Sequence, residues 1–340
     1  MQDLHIDIDA VVTWVDGTSD GHEQCYTRAL ADGKNVSIKT LPSGYSQARY
    51  KNNNEIEYCL RGIRKYMPWI RHVFLVTDQQ APRFLNKTER DALRITMVDH
   101  RDIFRGFDWA LPTFNSRSIE TALHRIPGIA ERYVYFNDDF IPVAPSCISD
   151  FFTSGKVVLR GKWEPQKKHA GNSLLMTALA LRLLSAVTKK DRSAHLLAQM
   201  KAARLAGFHE AYIHYPHAPH PIRTETLREF FRKNPELFQS NIKYKFRNLS
   251  QFVSHPLAHH LEAATGNYVF SETEDHVTIN FGKPEEVESA MVSMHNPRVK
   301  FICVQSLELA SDLHQRQIHR FLRDRTMDRS LHSESDATRC

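Results

Sequence analysis

The stretch IDIDAVVTWVDG, residues 6–17, decides the fold. From Ile6 to Val15 it is a short apolar run rich in β-branched side chains, and it ends on the turn pair Asp16-Gly17. That composition predicts a buried strand with an acid at its carboxyl end. The same grammar recurs downstream. HVFLVT (72–77) reads as a second strand followed by Asp78, and LRITMV (93–98) as a third followed by Asp99. YVYFN (133–137) reads as a fourth and runs directly into Asp138-Asp139. Between them lie two helical patterns. Glu55–Tyr66 places Ile56, Leu60 and Ile63 on one face and is stopped by Pro68; Ser116–Arg125 is capped by Asn115 or Ser116. This alternation predicts an α/β domain with a mainly parallel sheet. Ligands in such sheets sit beyond the carboxyl ends of the strands. Asp16, Asp78 and Asp138-Asp139 all fall at that edge, where a nucleotide site is expected.

Working outward, the chain turns Leu/Ala-rich and helical between Ser173 and Gly207. HYPHAPHPIR (214–223) reads as a loop, followed by helices near Thr224–Lys233 and Asn248–Ala264 and a basic amphipathic helix from Gln305 to Arg325. The expected parts are an α/β region over 1–165, a helical insert over 166–210 and a further region over 211–303 that carries HAPH and Arg247. A basic helix over 304–329 and a disordered tail over 330–340 complete the chain.

Composition bounds the function. The 340 residues are 41% hydrophobic and 25% charged, as in a folded globular chain. The five cysteines are odd in number and form no C-x-x-C pair, so buried reduced thiols are expected rather than a disulfide framework. The net charge of +6 favours anionic partners. No zinc-finger, RNP or homeodomain pattern is present, which leaves phosphorylated sugars ahead of nucleic acid. The first residues lack a basic n-region and apolar h-region. The longest apolar stretch, Leu174–Val187, contains Arg182 and falls short of the roughly 20 residues that span a bilayer. The expectation is a cytoplasmic protein, peripheral to the inner face of the cytoplasmic membrane through its basic C-terminal helix.

Four segments could carry chemistry. Adjacent carboxylates at Asp138-Asp139 suit a divalent cation on a diphosphate, although an Asp pair also caps turns. Glu120 lies within a helix, where acids ordinarily form a solvated face. His217 and His220, in HAPH, are poor helical metal ligands because Pro219 separates them; a loop His better serves as a general base or a phosphate contact. Arg247, in YKFRNL, could grip a phosphate bidentately. Lys167-Lys168-His169 and the arginines of Arg316–Arg329 read as solvated faces.

Taken together, these segments resemble the Stealth family of bacterial capsule polymerases and hexose-1-phosphate transferases, which includes the catalytic subunit of the lysosomal-enzyme GlcNAc-1-phosphotransferase. The resemblance is carried by IDAVVTWVDG (8–17), by Arg49 and Glu55 before LRGIRKYMPWIRHVFLVTDQQAPRFL (60–85), and by LPTFNSRSIETALHRIPGIAERYVYFNDDF (111–140). It continues in HAPHPIR (217–223) and the later YKFRN (244–248). It departs at Gly62, where Ser is common, and at Gln305-Ser306, where an Asn-Asp pair is usual.

The resemblance implies a GT-A-like core with a helical insert and C-terminal helices, Mg2+ as cofactor, and Glu120, Asp139, His217 and Arg247 as the residues of transfer. Asp138 and Asp139 are the expected metal ligands. Asp9, Trp14, Asp16, Gly17, Arg49, Asp78, Asn115 and His220 are the expected substrate contacts, with Trp14 stacking on a uridine base. Glu120 is expected to orient His217 or help hold the metal. The implied partners are a UDP-sugar donor, N-acetylhexosamine by preference, and a capsule oligosaccharide acceptor. Rival readings are a glycosyltransferase releasing UDP and a carbohydrate-binding component of a capsule complex.

Overall fold

The computed structural model describes residues 7–37, 39–41, 53–166 and 191–327. Arg49, Lys167-Lys168-His169, the apolar stretch Leu174–Val187 and the tail over 330–340 lie outside the described residues.

The expected strands form as β1 (Ile8–Thr13), β2 (Val73–Thr77), β3 (Ile95–Asp99) and β4 (Arg132–Asn137). They pair in parallel, and a further strand, β10 (His220–Arg223), closes the sheet antiparallel to β4, in the order β10-β4-β1-β2-β3. β1 and β2 are buried along nearly their whole length, which explains their continuous apolar sequence. In register, Thr13 stands beside Asn137 and Val76, and Thr77 beside Asp99. The carboxyl ends of the four parallel strands therefore share one edge, and Asp16, Asp78 and Asp138 follow directly from it.

Further strands lie outside that sheet. β5 (Phe140–Pro142) follows Asp139 at once and joins a second sheet, β12-β13-β5, with β12 (His276–Asn280) and β13 (Phe301–Gln305). Two smaller sheets complete the strands: β6 (Phe152–Thr153) and β7 (Lys156–Leu159) with β11 (Tyr268–Phe270), and β8 (Lys162–Pro165) with β9 (Ala211–His214).

Four sequence expectations are corrected. The HAPHPIR segment is not all loop: its second half is β10, at the sheet edge, where the missing N–H of Pro221 is tolerated. The helix expected from Asn248 begins at Ser254, and the one expected from Gln305 begins at Asp312. Gln305 instead ends β13, and Ser306 adopts a left-handed conformation that breaks the strand. Finally, the thiols are mixed: Cys59 and Cys303 are buried, while Cys25 and Cys147 are exposed.

The parts expected from sequence interlace, because β10 completes the sheet begun by β1 and β13 pairs with β5. The helix Glu55–Tyr66 lies close on this junction. A Cβ at Gly62 would stand 2.5 Å from the Pro142 carbonyl oxygen, so a side chain there has no room unless the backbone shifts. The C-terminal helix Asp312–Thr326 packs on the same helix: Tyr66 Oη donates to the Arg325 carbonyl at 2.6 Å, and Ile318, Phe321 and Leu322 are buried. Those three side chains are thus taken up by the core. Among the described residues, no helix is long and apolar enough to cross a membrane.

Candidate active site

β4 delivers Asp138 and Asp139 to the turn before β5. The Asp139 carbonyl accepts from Val304 N at 3.1 Å, and its Oδ2 lies 3.4 Å from the Cys303 thiol. The second sheet thereby holds the acidic turn from behind. Burial, then the charges of Asp139 and Glu55, push the Asp138 carboxyl well above the usual carboxylate range. Glu55 opens the helix Glu55–Tyr66 and accepts from Asn53 N at 2.8 Å and Asn53 Nδ2 at 3.0 Å. Among the described residues, no group of three or more His, Cys, Asp or Glu side chains is arranged to hold a metal ion. The donors at the turn are hard carboxylate oxygens crowded so that their charges oppose one another. Mg2+ commonly sits on one or two such carboxylates together with substrate phosphates, so the residues fit a cation that arrives with a diphosphate.

The antiparallel course of β10 places the histidine motif. His220 pairs opposite Tyr135, close to the carboxyl end of β4, so the chain entering β10 must pass over the acidic edge. His217 stands there, stacked on His195 at 5.8 Å and edge-on to Phe140 at 6.4 Å. Burial, aided by the charges of His255, His214, Lys283 and His276, draws its imidazole down to about 4. The ring is therefore neutral near pH 7. Its Nδ1 lies 3.3 Å from Gln305 Nε2.

Glu120 is buried on the helix Ser116–Ala122. Its carboxylate faces His255 Nδ1 at 3.4 Å, not His217. Burial opposes its ionised form. The hydrogen bond and charge of His255, then Arg247 and Arg117, outweigh that and hold the carboxyl below its ordinary value. Arg247 donates to Ser116 Oγ at 2.6 Å, at the start of the same helix. His255 in turn stacks on His220 at 4.0 Å, with Tyr135 at 5.7 Å. Tyr135 Oη donates to Asn137 Oδ1 at 2.6 Å, next to the acidic pair. A continuous layer thus joins Arg247 and Glu120 to the histidine motif and to the end of β4. His255 and Tyr135 were missed in the sequence, and Gln305 drew notice without a role at the site; among 19 histidines nothing singled out His255.

Several of the expected substrate contacts are tied into the fold. Asp9 is fully buried near the start of β1, toward the end of the strand away from the acidic edge. Arg71 grips it with Nε at 2.9 Å and an Nη at 2.7 Å, and Ala130 N adds 2.7 Å. Trp14 is 5% exposed and packs in the main core, so its face is not offered to a base. Asn115 caps its helix, accepting from Arg117 N at 3.2 Å and donating to Tyr244 O at 3.0 Å and Gln251 Oε1 at 2.9 Å. This ties Glu120's helix to the Arg247 segment. His220 is 5% exposed and walls the site from behind. Asp16, Gly17 and Asp78 do lie at the strand edge. Asp16 Oδ1 accepts from Thr18 N at 3.0 Å and from its hydroxyl at 2.6 Å, and Gln80 Oε1 accepts from Asp16 N at 2.9 Å.

Residues 49–159, which carry Glu120 and the Asp138-Asp139 turn, match the profile described as Stealth protein CR2, conserved region 2. This is a Stealth-family chain. The Stealth chain is 36% identical over 245 residues to an exopolysaccharide phosphotransferase of Streptomyces coelicolor, covering 69% of itself and 23% of that protein. It is 32% identical over 241 residues to the capsular polysaccharide phosphotransferase LcbA of Aeromonas hydrophila, covering 69% of itself and 59% of that relative. The Stealth chain therefore matches only part of the length of these curated relatives. Its structure is similar to that of the galactosyltransferase LgtC at a TM-score of 0.42 and 10% identity, over 96% of this chain and 98% of the other. A likeness at that level says nothing about chemistry.

Proposed function

We propose that this Stealth chain transfers a sugar 1-phosphate from a UDP-sugar to a carbohydrate hydroxyl during assembly of a capsule or exopolysaccharide. One observation carries the reading. Three separate stretches of sequence bring Asp138-Asp139, His217 and the Arg247–Glu120 pair together around the end of β4. Phosphoryl transfer needs charge neutralisation, in-line positioning and little covalent chemistry from the protein, and this set of groups matches those needs.

In the proposed reaction the acceptor oxygen bonds to the sugar-proximal phosphorus and the P–O bond to UMP breaks. The hydroxyl proton is released. The sugar's C1–O bond is untouched, so its anomeric configuration is kept. Asp138 and Asp139 would hold Mg2+, which supplies positive charge on the diphosphate. Arg247, tethered at Ser116 and set against Glu120, offers its guanidinium to phosphate oxygens. Glu120 faces His255 and lies within the field of that guanidinium. The edge at Asp16, Gly17 and Asp78 would take the uridine end, and an N-acetylhexosamine is the proposed donor sugar.

The test uses UDP-N-acetylglucosamine labelled at its β-phosphorus, Mg2+ and capsule oligosaccharides. Label recovered in the saccharide product supports the reading. Label recovered only in UDP refutes it.

A further inference from the structure

His217 can be a base toward an acceptor hydroxyl only if the ring edge facing the site carries a lone pair. Which nitrogen holds the proton follows from a chain of hydrogen bonds that ends on a backbone amide. Gly282 N, which can only donate, gives a hydrogen bond to Asn280 Oδ1 at 2.9 Å. The Asn280 amide is thereby oriented with Nδ2 outward, and it donates to Gln305 Oε1 at 3.0 Å. Gln305 is then oriented in turn, with Nε2 toward His217 Nδ1 at 3.3 Å. Turning either amide over would set donor against donor at the next link, with nothing to accept. His217 Nδ1 must therefore accept, and the single proton of the neutral ring must sit on Nε2.

We propose that Gln305, oriented through Asn280 by the Gly282 amide, is a positioning residue that fixes His217 as the Nε2-protonated tautomer. On the reading of this site as a phosphoryl-transfer centre, His217 then donates a hydrogen bond from Nε2 to an oxygen of the reacting phosphoryl group. It takes no proton from the acceptor, whose proton is released to water without passing through His217. Strand geometry makes the arrangement possible. Asn280 and Gln305 are paired residues at the ends of β12 and β13, so their side chains lie side by side. The left-handed Ser306 ends β13 directly after Gln305, and Gly282 turns the chain after β12.

Two measurements test this, and the first does not depend on any assay of function. Long-range proton–nitrogen correlation on histidine-labelled protein, with the His217 signals assigned through His217→Gln, reports the tautomer at neutral pH. Protonated Nε2 with bare Nδ1 is expected; protonated Nδ1 overturns the proposal. The second is Gln305→Glu, which keeps the shape and the bond from Asn280 but presents an acceptor to Nδ1, so that the neutral ring bares its Nε2. Turnover should fall on the order of 10²-fold at pH 8, as when one preorganised donor is lost. It should recover as pH falls, because the imidazolium regains the Nε2 proton. Full activity at pH 8, or activity rising with pH in this variant relative to wild type, would show His217 acting as a base.

Discussion

The carboxylate of Glu120 faces His255 Nδ1 at 3.4 Å, and both side chains are mostly shielded from water. Removing His255 takes away one of the groups that hold the buried Glu120 carboxylate, while Arg247 and Arg117 remain. His255→Ala should therefore lower stability by about 1–3 kcal/mol, measured by urea unfolding at pH 7. Because folding holds Glu120 below its ordinary carboxyl value of 4.5, its contribution is fully present above that pH and is lost as pH falls through the lower folded value. At pH 3 the penalty of the variant should shrink.

Asp9 gives a sharper contrast between sequence and structure. Arg71 and two backbone amides enclose it beside the strand ends opposite the acidic turn. Asp9→Asn should cost about 2–4 kcal/mol of stability, in the range for breaking a buried ionic network. The KM for the donor should stay within about twofold of wild type, since RT-scale changes at the site are not expected from a remote lock. A large rise in donor KM without loss of stability would return Asp9 to the substrate site.

The parallel sheet and the acid at each strand end were legible, because buried strands announce themselves as apolar runs and β1, β2 and β4 follow that rule. Trp14 was not legible. An aromatic next to an acidic turn reads equally well as a base-stacking platform or as core, and only its packing beneath the sheet decides. The strand β10 was hidden because it is only four residues long and contains Pro221, a residue depleted in strands. The partnership of Gln305 with His217 was hidden for a different reason: it spans 88 residues and depends on the pairing of β12 with β13.

A buried bidentate pair holds the second sheet to the rest. Arg160 Nε and an Nη reach Asp275 at 2.8 and 2.7 Å, with the guanidinium over Phe151 and Phe301 at 4.8 and 5.1 Å. Asp275 carbonyl also accepts from Lys300 N at 2.7 Å. Asp275→Asn should destabilise by about 3–5 kcal/mol, read as a lower urea midpoint with an unchanged slope. A change within 0.5 kcal/mol, the range of ordinary surface substitutions, would show that the pair does not tie the sheets.

The histidines set the acid limit. Burial first, then neighbouring charges, hold His124 and His259 down to about 3, and His217 to about 4; burial alone lowers His260, to about 4. Each is neutral when folded and gains a proton on unfolding below the ordinary value of 6.5. Stability is therefore complete above pH 6.5 and falls as pH drops toward 4, by about 1.4 kcal/mol per pH unit for each proton taken up. Urea midpoints across pH 4–8 check this; a flat profile would contradict it.

His217→Ala should leave the fold and donor binding near normal, because the ring lies partly open at the edge of the sheet, while turnover falls by about 10²-fold or more. Calorimetric titration with the UDP-sugar separates the two effects. Near-normal turnover would remove His217 from the reaction.

The most direct measurement is the nucleotide released when the protein, Mg2+ and a panel of UDP-sugars meet a capsule oligosaccharide. Release of UMP, in step with product, is the predicted result. Release of UDP would mean that the sugar alone moves, and it would contradict sugar-1-phosphate transfer.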